Sequence, residues 1–183
     1  MNQCVYWDQF MPDNFQGKPF HLAATSKGLC RVMWPSESFE DLQVWADKYL
    51  PGYALIHEPS MLSNYAEQIR EYFAGQRKSF DFPLDMQGTE FQKQVWQALT
   101  HIPYGSTRSY SEIADAINRP KAVRAVGTAN SVNPISLVVP CHRVIGKNST
   151  LTGFRGGLAM KETLLQLEGF DAYVNKGHER YQF

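Results

Sequence analysis

The sequence predicts an α/β protein in two parts: residues 1–87 form an antiparallel sheet with helices, and residues 88–183 a mostly helical domain that carries a helix-turn-helix and a short strand. Three observations carry that reading. The first half alternates a strand–turn–strand pattern with stretches of helical spacing. The second half opens two helices with capping boxes, and a β-branched run further on ends in Pro140-Cys141-His142. A length of 183 residues, 43% of them apolar and 13% aromatic, suits one domain or two small ones sharing a core and excludes a disordered chain.

In the first half, residues 19–25 and 29–34 are candidate strands around the turn Ser26-Lys27-Gly28, a hairpin. Leu42 and Trp45 place a helix over residues 39–49; Leu62, Tyr65, Ile69, Tyr72 and Phe73 place another over 60–74, stopped by Gly75. Residues 80–84 read as one more strand, and Asp85-Met86-Gln87-Gly88 as the link to the second half. Trp7, Trp34 and Trp45 read as packing residues, since large aromatics dominate core area. No residue of this half assembles a chemical site.

In the second half, Thr89 followed by Gln92 is a capping box, after which Phe91, Val95, Leu99 and Ile102 recur on one face. Ile102-Pro103-Tyr104-Gly105 ends that helix. Ser109 with Glu112 is a second capping box, opening a helix whose Ile113, Ala114 and Ile117 face inward until Asn118-Arg119-Pro120. Pro120 suits the first turn of a further helix over 120–130, so that two short helices and a tight turn make a helix-turn-helix. On the second of these, Val123 and Val126 form the expected buried side. Arg124, Gly127, Thr128 and Ser131 form a face of one long cation among small residues, which a backbone could approach closely; an ordinary solvated helix with a single Arg fits the same residues.

Neither a basic segment leading into an apolar one at the N-terminus nor an apolar run longer than residues 135–139 is present, so the chain is expected to be intracellular, with no membrane partner. Three scattered cysteines, Cys4, Cys30 and Cys141, form no Cys-x-x-Cys pair, which points to a reducing compartment and no metal site. The formal net charge of zero conceals an asymmetry. Residues 1–87 hold 7 basic and 11 acidic side chains and residues 88–183 hold 11 and 7; between 105 and 160 the count is 7 to 2. An anionic partner for the second half and a fluctuation of composition both fit that bias.

The chemistry centres on the run 135–139, read as a buried strand, and on Pro140-Cys141-His142-Arg143-Val144 at its end. A thiolate is the reactive form of cysteine, and an unperturbed thiol with a pKa of ~8.5 needs a neighbouring base or cation to ionise at neutral pH. His142 or Arg143 could supply either. Adjacent residues of an extended chain point to opposite sides, so His142 reaches the sulfur if the chain turns there, or through a water. Glu168 is the second signal. It lies at i+3 and i+4 from Leu165 and Leu164 on an apolar face, in the last turn of a helix over 158–168 and just before Gly169. Burial and the negative helix end both disfavour an anion there. A carboxylate in that position either frays into solvent or has a partner, and His142 would complete a Cys-His-Glu relay.

Pro140-Cys141-His142-Arg143-Val144-Ile145, with Arg124-Ala125-Val126-Gly127 and Asn133-Pro134 before it and Lys161-Glu162 and Leu164-Leu165-x-x-Glu168-Gly169 after it, closely resembles the O-6-alkylguanine-DNA alkyltransferases. Ile102-Pro103-Tyr104-Gly105 and Ser109-Tyr110 extend the resemblance, which runs over residues 88–170. It implies an RNase H-like fold for the first half. It also implies DNA repair by single-turnover transfer of an alkyl group from O-6-alkylguanine, and from O-4-alkylthymine, to the protein's own cysteine, without a cofactor. The partner implied is double-stranded DNA whose target base is flipped out while the helix-turn-helix occupies the minor groove. A monomer in the cytoplasm, at the nucleoid, or in the nucleus of a eukaryote, is expected.

Residue by residue, Cys141 matches the alkyl acceptor, and His142 and Glu168 the residues that activate it through a water. Tyr110 matches the phenol that protonates the leaving guanine, and Asn133 the brace of the loop before the nucleophile. The backbone of Cys141, Val144 and Arg155 matches the guanine-facing edge, and Phe154 the pocket wall. Arg124 matches the arginine that fills the vacated place in the base stack, with Ser109, Ala125, Gly127, Thr128 and Ser131 as further DNA-binding positions. Ser131-Val132 departs from a stretch that in many members is Gly followed by a polar or basic residue. Arg155 stands where a small residue is usual, and Phe154 where some relatives have Tyr; these bear on the size of alkyl group accepted. The four-cysteine zinc domain of some longer relatives has no counterpart in the sequence, so no transcriptional role of that type is expected. Three other readings are a lesion-binding module without chemistry, a helix-turn-helix regulator that senses through its cysteine, and a Cys-His-Glu hydrolase with turnover.

Overall fold

The computed structural model describes residues 3–13 and 15–174, which form two compact units, Met1–Gly88 and Thr89–Phe183. In the first unit, strands β1 (Cys4–Phe10), β2 (Phe20–Thr25), β3 (Gly28–Met33) and β4 (Ala54–His57) form one sheet in the order β3-β2-β1-β4. The expected hairpin is β2–β3. β1 pairs antiparallel with β2, but β4 joins parallel to β1, so the sheet is mixed and not purely antiparallel. Helices α1 (Phe39–Tyr49) and α2 (Pro59–Phe73) cover it. Side chains alternate along a strand, so Ala23, packed with Leu42, Trp45 and Ala46 of α1, faces opposite to Phe20, whose ring meets Phe73 of α2 at 5.6 Å. Helices on both faces explain why every residue of β2 and β3 is buried. Trp34 is 1% and Trp45 6% exposed, as packing residues are. The strand expected over 80–84 is a single bridge, Leu29 to Leu84, because Pro83 has no N–H to continue a ladder.

The second unit contains α3 (Glu90–Thr100), β5 (Arg108–Ser109), α4 (Tyr110–Ala116), α5 (Val123–Ser131), a 3-10 turn (Cys141–Arg143), β6 (Val144–Ile145) and α6 (Leu158–Leu167). Both capping boxes are formed: Thr89 and Ser109 each accept the N–H of the third helical residue and receive its side chain in return. The helix-turn-helix is α4–α5. Its second helix begins at Val123, not at Pro120, because 120–122 are used in the turn itself, and Val123 is consequently 38% exposed where a buried residue was expected. Val126 and Ala129 are buried, and Trp96 of α3 donates from Nε1 to the Ala129 carbonyl at 2.8 Å, tying α5 to α3.

The strand expected over 135–139 is a tight loop. Asn133 takes the backbone groups that a neighbouring strand would have used: its Oδ1 accepts from the Ile135 N–H at 3.0 Å and its Nδ2 donates to the Val139 carbonyl at 2.8 Å. The Val139 N–H then closes back on the Ile135 carbonyl at 2.9 Å, with Leu137 forced to a φ of 76°. The β-branched run reflects burial, since Ile135, Leu137 and Val139 are at most 1% exposed, rather than strand pairing. The short strand of this region is β6, after the cysteine; it runs parallel to β5.

Candidate active site

Cys141 opens the 3-10 turn, 3% exposed, and its N–H donates to the Val139 carbonyl at 2.8 Å. The chain therefore turns at Cys141, which is the condition under which His142 can serve its neighbour. His142 and Arg143 both face Glu168 at the end of α6. The His142 Nε2 lies 2.8 Å from Glu168 Oε1; Arg143 donates from Nε to Oε2 at 2.9 Å and from Nη2 to Oε1 at 2.9 Å. The Gly105 N–H adds a fourth contact to Oε2 at 3.2 Å. Gly105 has a φ of 74°, and a Cβ there would stand 2.9 Å from the Glu168 carbonyl oxygen, so this approach suits glycine. Arg143 reaches on from Nη1 to the Ile102 carbonyl at 2.6 Å, and Tyr104 donates to the Leu167 carbonyl at 3.0 Å. Charge-assisted hydrogen bonds from His142, Arg143 and Gly105 thus hold a carboxylate that is 5% exposed at a helix C-terminus.

That arrangement sets the protonation of His142. Burial holds its pKa below the ordinary histidine range, with the Glu168 carboxylate pulling the other way through its hydrogen bond and charge. The imidazole is neutral at pH 7. A carboxylate only accepts, so Nε2 carries the proton and Nδ1 carries the basic lone pair.

Tyr110, the first residue of α4, makes a 2.6 Å hydrogen bond to Thr152 Oγ1. Burial raises its pKa, opposed by the hydrogen bond shared with Thr152 and assisted by the charge of Cys141. Asn133 is 1% exposed and braces the loop before Cys141 as described. Val144 is fully buried, and its carbonyl accepts from Lys161 Nζ at 2.6 Å. Phe154 and Arg155 are half-buried; the Phe154 carbonyl closes a turn to the Gly157 N–H at 2.9 Å, and Arg155 donates from Nη2 to Ser136 Oγ at 3.1 Å.

On α5, Arg124, Ala125 and Thr128 are exposed and Gly127 and Ser131 half-buried. Thr128 and Ser131 turn their hydroxyls onto their own helix, to the Arg124 carbonyl at 3.2 Å and the Thr128 carbonyl at 2.7 Å. The Ser109 hydroxyl caps α4, accepting from the Glu112 N–H at 3.2 Å, and so is not directed outward. A pocket of about 400 Å³ opens between the two helices and the segment after β6. Tyr110, Asn130, Thr152 and Gly153 line one part of it, and Val123, Arg124, Gly127 and Ser131 the other. The pocket thus gathers Tyr110 and Arg124. Cys141 is not among its lining residues, and Asn130, whose amide lies 3.5 Å from the Cys141 carbonyl, connects the two.

Asn130, Ser136 and Thr152, three short polar side chains at this site, carry no pattern that marks them in the sequence. Arg143, expected as a charge for the thiol, is instead committed to Glu168. Lys161, quoted only as part of a motif, is fully buried; it donates to the Val144 and Thr152 carbonyls at 2.6 and 3.3 Å, and burial draws its pKa down to about 8. Among the described residues no helix is long and apolar enough to cross a membrane.

Residues 90–170 match the family model of the 6-O-methylguanine DNA methyltransferase DNA binding domain, and residues 15–86 that of the ribonuclease-like domain of the same proteins. The inducible methylated-DNA–protein-cysteine methyltransferase of Bacillus subtilis is 49% identical over 164 residues, 90% of each chain. The crystal structure of the Mycobacterium tuberculosis O6-methylguanine methyltransferase superposes with a TM-score of 0.75 at 41% identity, covering 90% of this chain and 92% of that one. A second M. tuberculosis structure, in complex with DNA, gives 0.75 at 40% identity over 89% and 92%. The chain belongs to the 6-O-methylguanine-DNA methyltransferase family, the methylated-DNA–protein-cysteine methyltransferases.

Proposed function

We propose that this protein repairs DNA by moving an alkyl group from O-6 of guanine, or O-4 of thymine, onto Sγ of Cys141, each molecule acting once. Family membership carries repair by alkyl transfer to cysteine. The observation that favours Cys141 is the buried Glu168–His142 pair held next to it in the same turn. In this reading His142 takes the thiol proton at Nδ1 through a water. The sulfur then attacks the alkyl carbon, forming a C–S bond as the C–O bond breaks, and the electron pair stays on the base. Tyr110, whose raised pKa keeps its proton in place until needed, donates to the guanine ring so that the leaving base is neutral; the proton on His142 returns to Tyr110 through solvent. No cofactor enters, and a thioether does not hydrolyse under mild conditions. The partner is double-stranded DNA, bound by a monomer through α5 in the minor groove with the lesion extrahelical, in the cytoplasm or, in a eukaryote, the nucleus.

The test is the intact mass of the protein after mixing with one equivalent of duplex containing O-6-methylguanine. A gain of one methylene in the Cys141 peptide, with guanine restored and no turnover at excess substrate, is expected. Tight binding without a mass gain would make this a lesion-binding module; preference for an unmodified sequence would make it a regulator, and continued methanol release a hydrolase.

Arg124 is exposed at the pocket mouth. If its guanidinium fills the gap left by a flipped guanine, Arg124→Ala should slow single-turnover repair of duplex by roughly thirtyfold, the equivalent of about 2 kcal/mol of extrahelical-state stabilisation. Reaction with isolated O-6-benzylguanine should fall much less. Arg124→Lys should recover part of the duplex rate, since an ammonium restores charge without planar stacking. Equal losses on both substrates would move Arg124 from base flipping to support of the pocket.

A further inference from the structure

Ser136, at the centre of the loop that Asn133 closes, is 2% exposed, and its hydroxyl stands where three groups converge. Arg155 Nη2 donates to Ser136 Oγ at 3.1 Å, Ser136 Oγ donates to the Asn133 carbonyl at 3.3 Å, and Cys141 Sγ lies 3.9 Å away on the side of the remaining lone pair. A hydroxyl has one proton and two lone pairs, and a guanidinium only donates. The oxygen is thereby pinned and polarised by a cation while its proton stays able to rotate. With Cys141 as a thiol, S–H points weakly at the oxygen and the hydroxyl proton rests on a long, neutral hydrogen bond. Once the proton leaves sulfur, the sulfur becomes an anionic acceptor, and an O–H to an anion is shorter and stronger than the bond it replaces.

We propose that Ser136 and Arg155 form a second polar arm on the Cys141 sulfur, separate from His142 and Glu168: the Ser136 hydroxyl swings from the Asn133 carbonyl to the thiolate, with Arg155 positioning and polarising it. No bond other than the hydrogen bond changes, and the thiol proton leaves by the route already described. The 3.9 Å separation belongs to the thiol; donor and acceptor close as charge develops. The arm rests on the reading of Cys141 as nucleophile. It gives the Arg155 side chain a role that its expected backbone contact with guanine does not supply. Of the other titratable and charged groups, Tyr110 of α4 and Lys161 of α6 couple electrostatically to Cys141, His142 and Arg143 follow it in the same turn, and both of these are held by Glu168 at the end of α6.

The test is the rate of Cys141 carboxamidomethylation by iodoacetamide against pH, read from the mass of the Cys141 peptide in the full chain without DNA. Ser136→Ala should move the inflection up by about one pH unit, a roughly tenfold loss of rate below the inflection and none well above it. Arg155→Gln should give a smaller shift in the same direction, which Arg155→Lys partly restores. The double variant should match Ser136→Ala alone, because Arg155 acts through the hydroxyl. Arg155 is half-exposed, so Arg155→Gln leaves the fold intact and tests the arm even if Ser136→Ala does not fold. An unchanged profile for Arg155→Gln, a loss by the same factor at every pH, or shifts that add in the double variant would overturn the arm. Since no alkylated DNA is used, these profiles stand or fall independently of whether the protein repairs O-6-alkylguanine.

Discussion

Cys141→Ser is expected to abolish alkyl transfer while leaving the affinity for lesion-bearing duplex largely unchanged. A hydroxyl in place of the thiol is nearly isosteric and meets the same neighbours, so the loop closed by Asn133 and the turn at 141–143 should persist. What is lost is nucleophilicity. A serine hydroxyl is essentially un-ionised at neutral pH, and removing a nucleophile costs on the order of 10⁶ in rate in hydrolases that have been dissected this way. Single-turnover transfer from O-6-methylguanine duplex, followed by protein mass, should fall below detection, and a binding titration with the same duplex should stay close to that of the unaltered protein. Residual methyl on the variant would mean another acceptor. Cys30 is a poor one: it is fully buried, donates to the Ala23 carbonyl at 3.3 Å, and burial pushes its thiol pKa far up. Label on Cys30 or Cys4 would sink the assignment to Cys141.

Glu168→Gln is expected to damage stability and chemistry together. The neutral amide cannot compensate the Arg143 guanidinium, and breaking a buried ion pair by neutralising one partner costs roughly 3–5 kcal/mol. A melting temperature lower by about ten degrees follows for a chain of this size. The chemical effect acts through His142. Its pKa lies below the unfolded value of 6.5 because of burial, and Glu168 is what opposes that shift. Without the carboxylate the imidazole becomes a weaker base, so alkyl transfer slows and the pH at which Cys141 reacts with a small thiol reagent rises. The linkage has a definite sign. A histidine whose folded pKa is depressed binds its proton more readily when unfolded, so the unaltered protein loses stability as pH falls below about 6.5 and is not affected by this group above it. An unchanged rate, pH profile and melting temperature for Glu168→Gln would make Glu168 a bystander.

Features that depend on a few neighbouring residues were legible without coordinates. The boxes at Thr89 and Ser109 open helices where the three-residue spacing says they must, because a helix start is satisfied by side chains one turn away. The candidate site was legible for a different reason: Glu168 stood out as a carboxylate among leucines at a negative helix end, a placement that demands compensation. The nature of the compensation was only half visible. His142 was an available partner, whereas the Arg143 fork and the Gly105 N–H come from chain positions 25 and 63 residues away.

By itself, then, the sequence determined the capped starts of α3 and α4, the β2–β3 hairpin, and a cysteine with an adjacent imidazole and a distant acid. Tertiary structure alone decided that β1 and β4 pair in parallel, Cys4 beside Ala54, and that residues 135–139 close on Asn133 instead of joining a sheet. It alone brought Arg155, Ser136 and Cys141 into line. The physical reason is the range over which backbone and side-chain polar groups find partners. A cap or a two-residue turn is satisfied locally, so composition within a few positions specifies it. A strand, a buried carboxylate or a loop hydroxyl is satisfied by whichever distant group the packed core delivers, and an apolar run such as 135–139 records that it is buried without recording what it is buried against.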